Sequence, residues 1–179
     1  MGLYSLGMSK NRIDLRPFRP SDLHSLIELG NNHHISDNLS DGFPHPYTVD
    51  SARKFLNEAL EKLPVTRMAI TLNEIHVGNI GLDKQSDIYS RTAEIGYFIG
   101  ESYWGRGIAT KAIEKIVKYG FDELDIVRIF ADVFDYNKAS MRVLEKNGFE
   151  LEGISRKGAV KNGVILDLHQ YAIINPAYC

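Results

Sequence analysis

Between positions 94 and 124 the spacing of apolar residues changes period. Residues 94–99 (Glu94, Ile95, Gly96, Tyr97, Phe98, Ile99) read as a largely buried strand. Further on, Ala109, Ala112, Ile113, Ile116, Val117, Phe121 and Leu124 recur every three or four positions, leaving Lys111, Glu114, Lys115, Lys118 and Glu123 for solvent. That is the pattern of a long amphipathic helix. Upstream, a short strand from Ile13 leads through Arg19-Pro20-Ser21 into a helix, with Ser21 as its cap and Leu23, Leu26, Ile27 and Leu29 as its apolar face. Residues 31–47 read as irregular. Thr48 then caps a second helix to about residue 63, stopped by Pro64. Residues 68–72 and 75–82 alternate like a hairpin around Asn73-Glu74, without the usual turn glycine. After the long helix come a strand over 128–133, a short helix closed by Asn147-Gly148-Phe149, and strands over 149–156 and 164–174 joined through Lys161-Asn162-Gly163. This order predicts an α+β fold: a mixed, mostly antiparallel sheet with helices on both faces. No repeat, linker or low-complexity tract interrupts residues 11–179, so one domain is expected there, preceded by a loose tail over 1–10.

Between the strand and the long helix stands Trp104-Gly105-Arg106-Gly107-Ile108-Ala109, followed by Thr110. A glycine turn at that junction exposes the first helical N–H groups and the positive end of the helix dipole, an anion site suited to phosphate. Arg106, beside those N–H groups, is a candidate phosphate ligand or a plain surface charge. Two other phosphate loops do not fit. A Walker-type loop needs a Gly-Lys-Ser/Thr ending, which the chain lacks. A dinucleotide fingerprint should open its domain and carry a small third residue, but half the chain precedes Gly105 and position 110 is Thr.

With Asn137-x-x-Ser140, Asn147-Gly148-Phe149, Ile13-Asp14-Leu15-Arg16-Pro17 and Asp167-x-His169-x-Tyr171 added in order, the chain resembles the GCN5-related N-acetyltransferase (GNAT) superfamily. It is most similar to the branch of ribosomal-protein N-terminal acetyltransferases, the RimJ/RimL-like proteins. The resemblance implies a six- to seven-stranded twisted sheet with about four helices, splayed in its middle to admit acyl-CoA. It also implies transfer of an acetyl group from acetyl-CoA to an amine by direct attack in a ternary complex. Acetyl-CoA would lie along Tyr97, Phe98 and Ile99 and against Trp104, Gly105, Arg106, Gly107, Ile108, Ala109 and Thr110, with Asn137 and Ser140 completing its site. Glu94 takes the place of the base in the histone-acetylating branch; it could equally be a solvated strand carboxylate or accept a substrate N–H. Leu144 occupies the position where many relatives carry a proton-donating Tyr, and the resemblance moves that role to Ser140. Plainer roles stay open: Asn137 as a helix cap and Ser140 as a hydroxyl bonded within its own turn.

The acceptor side is read from residues 31–47, long for a connection and rich in ring side chains. Asn38, Phe43, His45 and Tyr47 are its candidate substrate contacts, with Glu94 and, from a central strand, Tyr171, whose plainer role is a core tyrosine with a satisfied hydroxyl. Adjacent His33 and His34 and a distant His45 lack metal-ligand spacing, so no metal is expected. Cys179 is the sole cysteine, so no disulfide can form within the chain. A net charge of -2 with interspersed signs offers no footprint for nucleic acid. No apolar run approaches the ~18 residues of a membrane span, and no secretion signal is evident, so a cytoplasmic monomer or homodimer is expected. Three readings remain: acetylation of a protein or peptide N-terminus, acetylation of a small amine such as a polyamine, amino acid or antibiotic, and CoA binding without catalysis.

Overall fold

The computed structural model describes residues 11–178; the expected tail over 1–10 and the terminal Cys179 lie outside them. Its elements run β1 (Ile13–Pro17), α1 (Leu23–Gly30), α2 (His33–Ser36), α3 (Val49–Glu61), β2 (Arg67–Leu72), β3 (Ile75–Lys84), β4 (Thr92–Ile99), α4 (Ile108–Glu123), β5 (Arg128–Phe134), α5 (Lys138–Glu145), β6 (Glu150–Lys161) and β7 (Val164–Ile174). The seven strands form one sheet in the order β1-β2-β3-β4-β5-β7-β6. Every neighbouring pair is antiparallel except β4 with β5. That parallel pair is short: Thr92, Ala93 and Glu94 lie beside Arg128, Ile129 and Phe130, and beyond them the strands part. The mixed sheet expected from the order of elements is present, and so is the splay that the resemblance implies.

Cross-strand partners share a face and successive residues alternate between faces. In β4, Ala93, Ile95 and Ile99 are buried under α4, whereas Glu94 and Gly96 face the other way. The α4 face holds the larger core, including Leu82, Ile113, Ile116, Ile129 and Leu144. The opposite face packs Phe18, Leu26, Ala52, Leu56 and Ala69 under α1 and α3. Burial of each Leu, Ile or Phe side chain in these two cores is worth roughly 1.5–3 kcal/mol.

Local chemistry explains the element ends, with some departures from the sequence reading. Ser21 does not cap α1. A short 3-10 turn intervenes, and Asp22 instead accepts from the Arg19 N–H at 2.8 Å while gripping Arg16 with both oxygens at 2.7 Å. Thr48 does cap α3, accepting from the Ser51 N–H at 3.2 Å. The Asn73-Glu74 turn works without glycine because both residues take left-handed backbone, φ 49° and 71°, matching the twist of a tight hairpin. Residues 31–47 are not wholly irregular: Asn32 accepts from the His34 N–H and starts the single-turn α2, a fifth α-helix. Finally, β6 continues to Lys161, past the expected residue 156, because Ala159, Val160 and Lys161 go on pairing with β7 after an irregularity. Among the described residues no helix is long and apolar enough to cross a membrane.

Candidate active site

The loop that ends β4 and starts α4 is built around two left-handed glycines, Gly105 and Gly107, both at φ 72°. A Cβ at either would meet no atom within 4 Å, so backbone conformation and not crowding demands glycine there. The first hydrogen bond of the 16-residue α4 runs from the Lys111 N–H to the Gly107 carbonyl. The N–H groups of Gly105, Arg106, Gly107, Ile108, Ala109 and Thr110 meet no acceptor among the described residues. Six consecutive free donors at the positive end of a long helix form a cradle for phosphate oxygens. That donor set fits the pyrophosphate of an acyl-CoA. Arg106 is partly committed to the loop itself, donating to the Ser102 carbonyl at 2.9 Å with its guanidinium over the Tyr103 ring. Trp104 is half exposed and donates from Nε1 to the Ile99 carbonyl at 2.7 Å, fastening the loop to the end of β4.

Where β4 and β5 separate, the α4 face carries Tyr97 and Ser140. Asn137 caps α5, its Oδ1 accepting from the Ser140 N–H at 3.1 Å, so the capping role is real. The Ser140 hydroxyl does not close on its own turn; it pairs with the Tyr97 hydroxyl at 2.8 Å. Burial pushes the Tyr97 phenol up to about 12, against a smaller opposing effect of its bond to Ser140. Leu144 is 0% exposed, sealed into the core as an apolar residue. The Tyr97–Ser140 pair was missed from the sequence, which gave Tyr97 only to the cofactor strand.

Glu94 lies on the opposite face and forms no ion pair among the described residues. Its carboxyl is held above the ordinary value, first by partial desolvation, then by the carboxylates of Asp132 and Asp83. The residue keeps an exposed flank, which tempers the shift. Asp83 is the cross-strand partner of Glu94, and Asp132 follows two positions after Phe130, its partner on β5. The alternation of Arg128, Phe130, Asp132 and Phe134 in β5 was the available signal for this second acid.

On that face the acceptor loop meets the sheet. Phe43 stacks on Tyr47 at 4.7 Å and meets Phe98 edge-on at 5.4 Å. Phe98 thus points toward the acceptor loop, while its neighbours Tyr97 and Ile99 face α4. Tyr47 is 4% exposed and packs beside Gly30, its phenol raised to about 12 by desolvation, so it supports the loop from the core. His45 is exposed, its ring 6.4 Å from that of His33. Asn38 donates to the His34 carbonyl at 2.8 Å and lines an open pocket of about 440 Å³ with His34, Asp37, Glu101, Trp104 and Tyr136. Trp104 and Tyr136 follow the ends of β4 and β5, placing the pocket at the mouth of the splay. Glu101 on its lining is bound to Asn32 at 2.6 Å and His34 at 2.9 Å. Tyr171 is set apart from this group. It pairs with Ala131, one residue beyond Phe130 and therefore on the α4 face, and its hydroxyl donates to Glu145 at 2.9 Å. An expected acceptor contact there is replaced by a core tyrosine with a satisfied hydroxyl.

The family model described as "Acetyltransferase (GNAT) domain" matches residues 12–150. The probable N-acetyltransferase YjcK of Bacillus subtilis is 39% identical over 135 residues, 73% of this chain and 75% of that protein. The spermidine N(1)-acetyltransferase of Escherichia coli is 26% identical over 150 residues, covering 81% of this chain and 76% of its own. Among solved structures, Mycobacterium smegmatis RimJ in complex with CoA-disulfide aligns with a TM-score of 0.80 at 26% identity, covering 92% of this chain and 83% of that one.

Proposed function

The chain belongs to the GNAT acetyltransferase family and is an acyl-CoA-dependent N-acetyltransferase; we propose that it acetylates the α-amino group of a protein or peptide, with Glu94 receiving the amine proton and Ser140 giving one to the leaving sulfur. The observation that carries this reading is the splay of β4 from β5, which has the free N–H cradle at one end and divides Glu94 from Ser140 between two faces. The 105–110 backbone would hold the pyrophosphate, with Trp104 anchoring the loop. The parted stretches of β4 and β5, including Tyr97, Phe98 and Ile99, offer backbone groups to an extended pantetheine arm. The side-chain N–H groups of Asn137 meet no acceptor among the described residues and could serve the same ligand. Acetyl-CoA, when bound, supplies the activated thioester; the protein orients the amine and moves two protons.

An α-amine suits Glu94. Its ordinary pKa of about 7.7–8.0 leaves part of it neutral near pH 7, so a carboxylate raised only moderately suffices to finish the deprotonation. Asn38, Phe43 and His45 are the accessible acceptor-loop residues, with Tyr47 behind them. A second reading rests on the pocket: Glu101 and Asp37 beside Trp104 and Tyr136 suit a small cationic amine, through charge and ring faces. Both readings are tested by following CoA release with peptides of varied N-terminal residue, polyamines and amino acids. Turnover on peptides, with Ser140→Ala slower by about 10²–10⁴-fold, supports the first. Turnover on polyamines alone selects the second, and acetyl-CoA binding with no turnover on any amine sinks both.

A further inference from the structure

Ser140 has one hydroxyl proton, and its direction decides whether it can reach a leaving group. Its only side-chain partner among the described residues is the Tyr97 hydroxyl, at 2.8 Å. A phenol is the more acidic O–H and the better donor, while an aliphatic hydroxyl accepts well. We propose that Tyr97 is the positioning residue for Ser140: its phenol donates to Ser140 Oγ, turns the serine proton toward the open splay, and replaces that proton when it is given up. The inference rests on the acid role given to Ser140 above.

Three features support it beyond the distance. Tyr97 stands three residues past Glu94, the last β4 residue to pair with β5, where the strands have parted. A serine in the first turn of a helix normally bonds back to a nearby backbone group, and this one is drawn across to another element. Leu144, at the alternative donor position, is fully enclosed in the core. Burial also keeps the phenol protonated throughout the working pH range.

The protons and electrons balance. Glu94 accepts the amine proton as the nitrogen–carbon bond forms. As the carbon–sulfur bond breaks with its pair on sulfur, Ser140 protonates the sulfur and Tyr97 passes its proton to Ser140 Oγ. Solvent then carries the proton from Glu94 back to Tyr97, leaving an amide, a thiol and the original enzyme.

The test uses the full chain with an amine that the wild type acetylates. Tyr97→Phe keeps the ring in place, and its melting temperature and acetyl-CoA affinity should match the wild type. Its kcat should fall on the order of 10²-fold, toward that of Ser140→Ala, and the double variant should be no slower than the worse single one. Fluorinated tyrosine at position 97, with a more acidic phenol, should bring a basic limb of the pH–kcat profile down into the measurable range. Wild-type kcat in Tyr97→Phe, or a profile unmoved by fluorination while Ser140→Ala is slow, overturns the role of Tyr97 and leaves the transferase reading standing. Full activity of Ser140→Ala overturns both.

Discussion

At the scale of single residues, the groups proposed to handle protons are separated by strand parity. Glu94 and Tyr97 are three positions apart in β4 and therefore face opposite sides of the sheet, so the amine and the leaving sulfur can be served from either side of the splay. The environment of Glu94 fixes a pH dependence. Desolvation and the neighbouring carboxylates raise its pKa, so it becomes protonated, and useless as a base, at a higher pH than an ordinary Glu. The acid limb of kcat/KM should accordingly lie above the usual carboxylate range. Asp132→Asn should move that limb to lower pH, and Glu94→Gln should abolish it while lowering kcat by about 10²-fold or more and sparing acetyl-CoA affinity. A pH–rate series on the three proteins checks this; an unmoved limb in Asp132→Asn would show that another group controls it.

At the scale of elements, two junctions make measurable claims. The first is the start of α4, whose free backbone donors are proposed to receive the cofactor's phosphates. Gly107→Asp combines a strained left-handed backbone, on the order of 1–2 kcal/mol, with a competing carboxylate, and calorimetric binding of acetyl-CoA should collapse. Arg106→Ala should cost only about 1 kcal/mol of binding, because its guanidinium already serves the Ser102 carbonyl and Tyr103. The second is where α1 meets β3. His76 is buried there, its Nδ1 2.7 Å from the Ser25 hydroxyl and its Nε2 2.8 Å from Asn79 Oδ1, with the Arg16–Asp22 pair nearby. Desolvation lowers its pKa below 6.5, outweighing the bond to Asn79 and the charge of Asp22, while Arg16 adds to the lowering. The unfolded chain then binds more protons than the folded one as pH drops through 6.5. The His76 contribution to stability is thus complete above 6.5 and lost as pH falls toward its folded value. Melting temperature should decline across that window in the wild type, and less steeply in His76→Gln.

At the scale of the whole molecule, one edge of the sheet is tied to the loop over residues 31–47. The tip of the β6–β7 hairpin reaches the acceptor loop: Lys161 bonds Asp41 at 2.8 Å, Asn162 bonds Asp37 Oδ1 at 3.1 Å, and the Tyr136 hydroxyl donates to the Asp37 carbonyl. The two loop carboxylates that could have addressed a cationic acceptor are therefore partly engaged in holding the loop. Asp41 is mostly exposed, so losing its bridge should cost about 1 kcal/mol or less of global stability. The larger effect should be local. Lys161→Met is expected to speed hydrogen exchange in residues 31–47 and raise KM for the acceptor, with acetyl-CoA affinity unchanged. Equal exchange in that segment would show that the hairpin does not restrain it.

The sequence alone determined the features that local stereochemistry enforces. Gly105 and Gly107 announced a backbone that other residues adopt at a cost, the three- and four-residue spacing after them announced α4, and Gly148 marked the left-handed residue beyond α5. Those signals sufficed for the glycine turn and the helix after it, whereas the single-turn α2 within residues 31–47 left no such mark. Tertiary structure decided which side chains meet. Register put Tyr171 on the core face and Asp132 beside Glu94; the parting of β4 from β5 brought Tyr97 to Ser140; and the return of β6–β7 occupied Asp37 and Asp41. Each of these contacts joins residues from 26 to 125 positions apart, and pairing over such separations depends on how the whole sheet closes, which no local pattern of apolar and polar residues encodes.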